Sequence, residues 1–362
     1  MGPQVPEGER PIAVAWGRDA VSVHGPDAER YLQGQLSQDV SKLALGASAW
    51  TLVLQPQGKL DVFARLTRLA DDRFLLDSDA GTGGALATRL QRFLLRTKAV
   101  VEQMPGWGAL AVRSPLGAPT VAGPGAPTGP GDAGAQQAAA GGSYALVVPS
   151  ALPEGCTVAG FSWNGWRGYD ILGPEGALPT GSELGDGVVL ALPEELELAR
   201  VLAGFPRHGS ELDSSTIPAE AHLVGESVSF TKGCYTGQEL VARVDSRGNN
   251  VPRRLYGLAF SAAGAPAPGD VLTRAGVEGS AGAEGSARAE GSAGAESQGA
   301  AAGGVPAAKP VGRVTSVAIS PSGRWFGLGY AVRSATAGDV LVVAGGADGL
   351  QAQLLSLPMS PA

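Results

Sequence analysis

The sequence predicts an α+β chain of several domains that ends in a small antiparallel β-barrel. Three observations carry that prediction. At 362 residues the chain exceeds the roughly 250 at which single cores stop growing. Strand and helix patterns mix up to about residue 250, and only strand patterns follow. Two stretches poor in core-forming residues, about 114–143 and about 276–309, break the chain into parts.

The first part, residues 10–113, contains Trp50–Gln55 and Leu60–Leu69, which alternate apolar and polar residues around Pro56-Gln57-Gly58-Lys59. That is a hairpin signature. Arg73–Asp77 reads as a strand. Gly81-Thr82-Gly83-Gly84 fits neither the dinucleotide nor the Walker pattern, and reads as a loop leading into a helix near Ala85–Lys98. That helix places Leu86, Leu90, Phe93 and Leu94 on one face and Arg89, Arg92 and Arg96 on the other. The arginine stripe is a solvated face or a seat for an acidic ligand tail such as a glutamyl chain.

The second part, residues 144–250, opens with a strand at Tyr144–Pro149 and has another at Arg167–Leu172. Pro193–Leu202 reads as a helix, with Pro193 in its first turn and Glu194, Glu195 and Glu197 near its positive end. The third part, residues 251–362, carries strands at Arg254–Phe260, Val311–Ser320, Trp325–Val332 and Val340–Val343, joined by turns such as Pro321-Ser322-Gly323. Their spacing suggests the barrel, with an insertion leaving one of its hairpins. That insertion carries the repeat EGSAGA-EGSARA-EGSAGA-E, and like residues 114–143 it is expected to be disordered, because neither buries enough apolar surface to offset its ordering entropy.

A net charge of −7 argues against a nucleic-acid binder, whose phosphate contacts need a basic face. No run of about 18 apolar residues suits a membrane span, and the first residues do not resemble a secretory signal. The expected location is cytoplasmic. Two cysteines, Cys156 and Cys234, agree with a reducing compartment and cannot alone supply the four thiolates of a usual iron–sulfur site. His24, His208 and His222 have no zinc-like spacing, so no metal site of the chain's own is expected.

The chemistry concentrates in Ser229–Arg243, which reads SFTKGCYTGQELVAR. Thr236 and Glu239 have capping-box spacing ahead of Leu240, Val241 and Val244, so a helix is expected from about Gly237. Cys234 then lies just before its positive end, with the Lys232 ammonium two residues away, and both favour a thiolate. Gly233 and Gly237 leave room around the sulfur. A lone cysteine is more often a small buried hydrophobe, the reading that holds for Cys156. A cysteine hydrolase would need a histidine base, and no local sequence singles out His208 or His222.

In this motif the chain resembles the YgfZ-type folate-binding proteins, whose hallmark Lys-Gly-Cys-(Tyr or Phe)-x-Gly-Gln-Glu matches Lys232 through Glu239 in full. Tyr31–Val40, Pro56–Lys59, Arg200–Gly209 with Ile217–Glu220, and Val311–Ser316 agree with further family stretches, in order. The resemblance implies the fold of the glycine cleavage T-protein, a folate-dependent aminomethyltransferase, with domains around a central folate cavity. It implies tetrahydrofolate, or a folate derivative, as cofactor. It also implies iron–sulfur client enzymes or assembly proteins as partners, tRNA-modifying enzymes among the clients. Cys234 and Lys232 become the functional residues. Gly233, Tyr235, Gly237, Gln238, Glu239 and Arg243, with Tyr169 and Glu220, become the candidate folate contacts. Tyr169 and Trp163 have rings suited to a pterin or to core packing.

Two departures from the T-protein pattern bear on activity. Where the T-protein has an acid pair after its hairpin glycine, this chain has Val62 and Phe63, with Asp61 one residue early and expected on the other face. Where an acid holds the pterin, Val201, Leu202 and Ala203 are apolar, and Glu220 is the candidate replacement. The resulting expectation is a tetrahydrofolate-binding accessory factor for iron–sulfur assembly or repair, acting through Cys234 without classical turnover. The alternatives are a folate-dependent one-carbon transferase and a scaffold in which Cys234 is structural.

Overall fold

Strands β1 (Ile12–Trp16) and β2 (Arg18–His24) leave Gly17 between them and enter different sheets. Helix α1 (Ala28–Gln35), β3 (Ser48–Leu54), β4 (Leu60–Ala70), β5 (Arg73–Asp79), α2 (Gly83–Gln91), β6 (Val100–Met104) and β7 (Trp107–Arg113) follow. Then come β8 (Thr157–Trp163), β9 (Trp166–Pro174), β10 (Val189–Leu190), α3 (Pro193–Ala203), α4 (Val224–Ser227) and α5 (Gln238–Ser246). The last strands are β11 (Arg253–Phe260), β12 (Val271–Arg274), β13 (Pro310–Ile319), β14 (Trp325–Val332), β15 (Val340–Ala344) and β16 (Gln351–Leu355). This computed structural model describes residues 11–114, 148–149, 151–180, 184, 188–274, 309–345 and 349–359. The two core-poor stretches lie outside them except for Ser114 and Lys309, as does most of the strand expected at Tyr144–Pro149.

Two five-stranded sheets, β3-β4-β5-β2-β6 and β10-β1-β7-β9-β8, precede a closed barrel ordered β11-β14-β13-β12-β15-β16. The α+β class and the terminal barrel are therefore as the sequence predicts. Helices α1 and α2 cover one face of the first sheet, where Leu32, Leu86, Leu90, Val62 and Phe74 form a core. Its other face meets the second sheet, α3 and the barrel in a central core that includes Trp50, Phe63, Trp163, Phe205, Leu255 and Tyr330. Phe205 sits amid five other rings of this core, 5.0–5.9 Å from Trp16, Trp50, Phe63, Phe161 and Trp163.

The two sheets are also joined by buried charge. Arg65 of β4 donates from Nε and Nη2 to Asp77 at 2.9 and 2.8 Å, and from Nη1 to Asp170 of β9 at 2.6 Å. Arg18 donates to Asp77 and Asp79, and Arg113 to both oxygens of Asp170. Burial alone would raise the Asp77 carboxyl, but Arg65 and Arg18 hold it below its ordinary value. Burial, aided by the nearby Arg65 and Arg18 charges, pulls Arg113 down to about 10 against the attraction of Asp170.

His208 touches the edge of this network. Its backbone N–H donates to Asp79 at 2.8 Å, and its Nε2 accepts from the Phe63 N–H at 3.1 Å. Burial lowers its pKa below 6.5, against the pull of Asp79. The unfolded chain therefore binds the extra proton first. His208 supports the fold fully above about pH 6.5, and that support is lost as pH falls toward the folded-state value. Buried His222 is lowered too and adds in the same sense. The urea midpoint should fall between about pH 7.5 and about pH 5.5, and His208→Gln should shrink that fall by removing one of the two contributions. An unchanged fall in the variant would mean that His208 is not one of its sources.

The expected helix at Ala85–Lys98 ends instead at Gln91. The Tyr31 hydroxyl donates to the Leu90 carbonyl, turns follow, and Arg96 takes a left-handed φ of 59°. The arginines therefore do not form a helical stripe. Arg89 is engaged by Asp61, Gln35 and the Leu54 carbonyl, while Arg92 and Arg96 lie on the exposed segment beyond the helix.

Candidate functional site

Three stretches that the sequence singles out meet at one end of the first sheet. They are the end of α1 with Leu36–Gln38, the β3–β4 hairpin, and the motif before α5. The Ser37 carbonyl accepts from the Ser229 N–H at 3.0 Å, and its hydroxyl donates to the Ser227 carbonyl at 2.6 Å. The Thr236 N–H donates to the Gly34 carbonyl at 3.3 Å.

Lys232 is the brace between them. Its Nζ donates to the carbonyls of Gln33, Leu36 and Gln38 at 2.7, 2.6 and 2.9 Å, at the α1 terminus where backbone oxygens lack helical partners. Burial pulls its pKa down to about 8, with Asp39 opposing, so it remains charged at neutral pH. The ammonium expected to favour the Cys234 thiolate thus has its three protons hydrogen-bonded to backbone carbonyls at the end of α1 and just past it.

The capping box is corrected as well. Gly237, not Thr236, is the N-cap residue of α5, and no side chain caps that end. Gly237 takes φ 81°, and a Cβ there would lie 2.6 Å from the Gln55 carbonyl oxygen and 2.8 Å from the Leu54 Cβ. Gly58 of the hairpin sits against Leu240 in the same way, its notional Cβ 2.4 Å from the Leu240 Cβ. The motif glycines therefore differ in role, since a Cβ on Gly233 would meet nothing within 4 Å. Gly237→Ala should destabilise the protein by about 1–3 kcal/mol through forced backbone strain, whereas Gly233→Ala should leave it near wild type. Equal denaturation midpoints for the two variants would refute the packing role of Gly237.

Cys234 and Tyr235 face opposite ways. Cys234 is exposed, while Tyr235 is 7% exposed and belongs to the central core. The Lys232 ammonium stands 5.1 Å from the Tyr235 ring centroid, and Gln238 Oε1 accepts from the Tyr235 N–H at 3.4 Å. Burial pushes the Tyr235 hydroxyl up to about 12. That hydroxyl and the indole N–H groups of Trp163 and Trp166 are buried without a hydrogen-bond partner among the described residues.

The remaining candidates lie apart. Glu239 and Arg243 are exposed on α5. Tyr169 belongs to a separate core with Ala13, Leu110 and Ile171, rather than with the motif. Glu220 accepts from Arg253 Nε at 3.0 Å and from the Ile217 N–H at 3.4 Å. Asp61 is turned to α2, where Arg89 Nε meets it at 3.2 Å, while Phe63 and Leu202 are buried in the central core. Cys156 is half-buried, with its thiol raised by burial. A cavity of about 320 Å³ lined by Pro149, Ala151, Leu152, Pro153, Ile171 and Pro179 involves none of the motif residues. Among the described residues no three His, Cys, Asp or Glu side chains are placed to hold a metal ion, and no helix is long and apolar enough to cross a membrane. The sequence reading missed Ser37 and Trp166. The signature around Tyr31–Val40 marked the first, and nothing local marked the second.

No protein-family model matches the chain. A tRNA-modifying protein YgfZ of Pectobacterium carotovorum is 32% identical over 252 residues, covering 68% of this chain and 70% of that one. A YgfZ of Yersinia enterocolitica is 28% identical over 264 residues, 70% of this chain and 72% of that one. An uncharacterized protein of Haemophilus influenzae is 29% identical over 234 residues, 64% and 67% of the two chains. Among solved structures, the glycine cleavage system aminomethyltransferase T of Bartonella henselae matches with a TM-score of 0.68 at 20% identity, over 96% of this chain and 86% of that one. The T-protein-like fold is thereby established.

Proposed function

Because this chain belongs to the YgfZ family, we propose that it binds a tetrahydrofolate and serves iron–sulfur enzymes as an assembly or repair factor through Cys234. The observation that carries this reading is the opposed pair Cys234 and Tyr235, held by Lys232 and Gly237 on one braced loop. The thiol is offered to a partner and the phenol to the interior.

The interior suits a pterin. Trp50, Phe63, Trp163 and Phe205 line the central core by packing on one another, and the Trp163 and Trp166 N–H groups there are unspent donors. The Tyr235 hydroxyl, buried in the same core without a partner among the described residues, is a group able to accept from the amino edge of the ring, where a carboxylate is missing. When bound, tetrahydrofolate would supply one-carbon chemistry; the chain's own contribution is to bind it, keep water from it and hold Cys234 outside. A single thiolate cannot hold a cluster alone, so the client or an assembly partner supplies the other ligands. These clients include tRNA-modifying enzymes, the protein makes no direct contact with nucleic acid, and it works in the cytoplasm.

The one-carbon transferase reading needs a carboxylate at the reacting nitrogen. Asp61 is held by Arg89 away from the central aromatic core, which speaks against turnover. The test is calorimetric titration of tetrahydrofolate into the purified protein, paired with Cys234→Ala in cells lacking the native gene. Saturable binding, with iron–sulfur enzyme activities restored by the wild type and not by the variant, is expected. Full restoration by Cys234→Ala would end the reactive-thiol reading, and absence of binding would end the folate reading.

A further inference from the structure

The turn segment between α2 and β6 carries Phe93 at 44% exposure and Leu95 at 88%, interleaved with Arg92, Arg96 and Lys98. None of these three cations forms an ion pair with a described residue, and Arg96 is held in the left-handed region. In a chain of net charge −7, residues 92–98 carry three cations and no carboxylate, beside two protruding apolar side chains.

The segment adjoins the motif. The Arg89 guanidinium lies 4.4 Å from the Phe93 ring centroid and donates to the Leu54 carbonyl at 3.2 Å. Gly237, three residues past Cys234, packs against the same Leu54. The Phe93 side of the patch is thus linked through Arg89 and Leu54 to the motif, while Lys98 lies toward the opposite end of the sheet, where its N–H meets Asp27 and β6 pairs Val100 with His24.

We propose that segment 92–98 is the docking contact for an acidic, apolar-tipped segment of the protein client that Cys234 serves; this rests on the function proposed above. Charge complementarity argues for an acidic partner, which the rest of this acidic chain repels and these cations admit. Phe93 and Arg92 are of the side-chain types enriched at protein interfaces, and Leu95 adds exposed apolar area beside them. Bases would stack on an open ring, but Arg89 covers one face of Phe93, and Leu95 offers no stacking surface at all. A bilayer would call for a broader apolar face than two side chains.

The test uses the full chain carrying Lys98→Glu with Leu95→Asp, two exposed positions outside the folate and thiol groups. The probe is the purified iron–sulfur enzyme whose activity falls in cells lacking the protein. Expected is a loss of about tenfold or more in affinity for that enzyme, and a matching loss of rescue, with tetrahydrofolate affinity and Cys234 labelling unchanged. Wild-type affinity and rescue in this double variant, where Cys234→Ala fails to rescue, would overturn the docking proposal and spare the function. If no iron–sulfur enzyme depends on the protein, the function fails and the docking proposal falls with it. Flotation with phosphatidylglycerol vesicles, or binding to polyuridylate, that depends on these residues while client affinity does not would also overturn it, in favour of a lipid or an RNA.

Discussion

Arg65→Met should lower the stability of this protein by about 3–5 kcal/mol, the scale for removing one partner from a buried ion pair. Arg65 is 1% exposed and divides its donors between Asp77 of its own sheet and Asp170 of the other. Removing it leaves Asp77, Asp79 and Asp170 against Arg18 and Arg113 alone, inside the molecule. It also strips the Gly160 carbonyl of a donor at 3.1 Å. Methionine fills the volume but returns none of this. Arg65→Lys should recover little, since a point ammonium cannot fork to Asp77 and reach Asp170 as well. Urea denaturation of both variants measures this. A midpoint within error of wild type for Arg65→Met would show that the network is replaceable by apolar packing.

Lys232→Met should cost about 3 kcal/mol and unseat the motif loop. Each hydrogen bond to a charged donor carries about 1.5–3 kcal/mol, and the three carbonyls left behind lose their donor together, offset in part because the buried ammonium's desolvation cost goes with it. Because Thr236 and Ser229 still tie the loop to Gly34 and Ser37, the protein should fold with the Cys234 loop loosened. The check is thermal unfolding together with proteolysis of the Phe230–Gly237 segment. Protection equal to wild type would mean that Lys232 acts on the thiol rather than on the loop.

What the sequence discloses about this site depends on the kind of signal. The hairpin Pro56–Lys59 and four of the six barrel strands rest on alternation and turn residues, which are local, and they stand where expected, whereas Val271–Arg274 and Gln351–Leu355 are too short to show such a pattern. Lys232's partners are backbone carbonyls, which carry no residue signal. The capping-box spacing was present at Thr236 and Glu239, but a glycine able to reach φ 81° lay between them, and packing against Leu54 decided the matter. Helix α2 stops at Gln91 although Phe93 and Leu94 continue the apolar period, because Tyr31 of another helix takes the Leu90 carbonyl. Strands β2 and β7 hid behind Arg18 and Arg113, charges that read as surface and lie in the interior.

In the barrel, β12 and β13 pair antiparallel with Thr273 opposite Pro310, so the described residues on either side of 275–308 are held next to each other on neighbouring strands. The two anchor points are fixed by the ladder whatever the chain does between them. Each doubling of such a loop adds only about 0.6 kcal/mol of closure cost. Length is therefore nearly invisible to selection on stability at this hairpin. Whole hexapeptide units of the repeat can be added or removed there at little cost to the barrel.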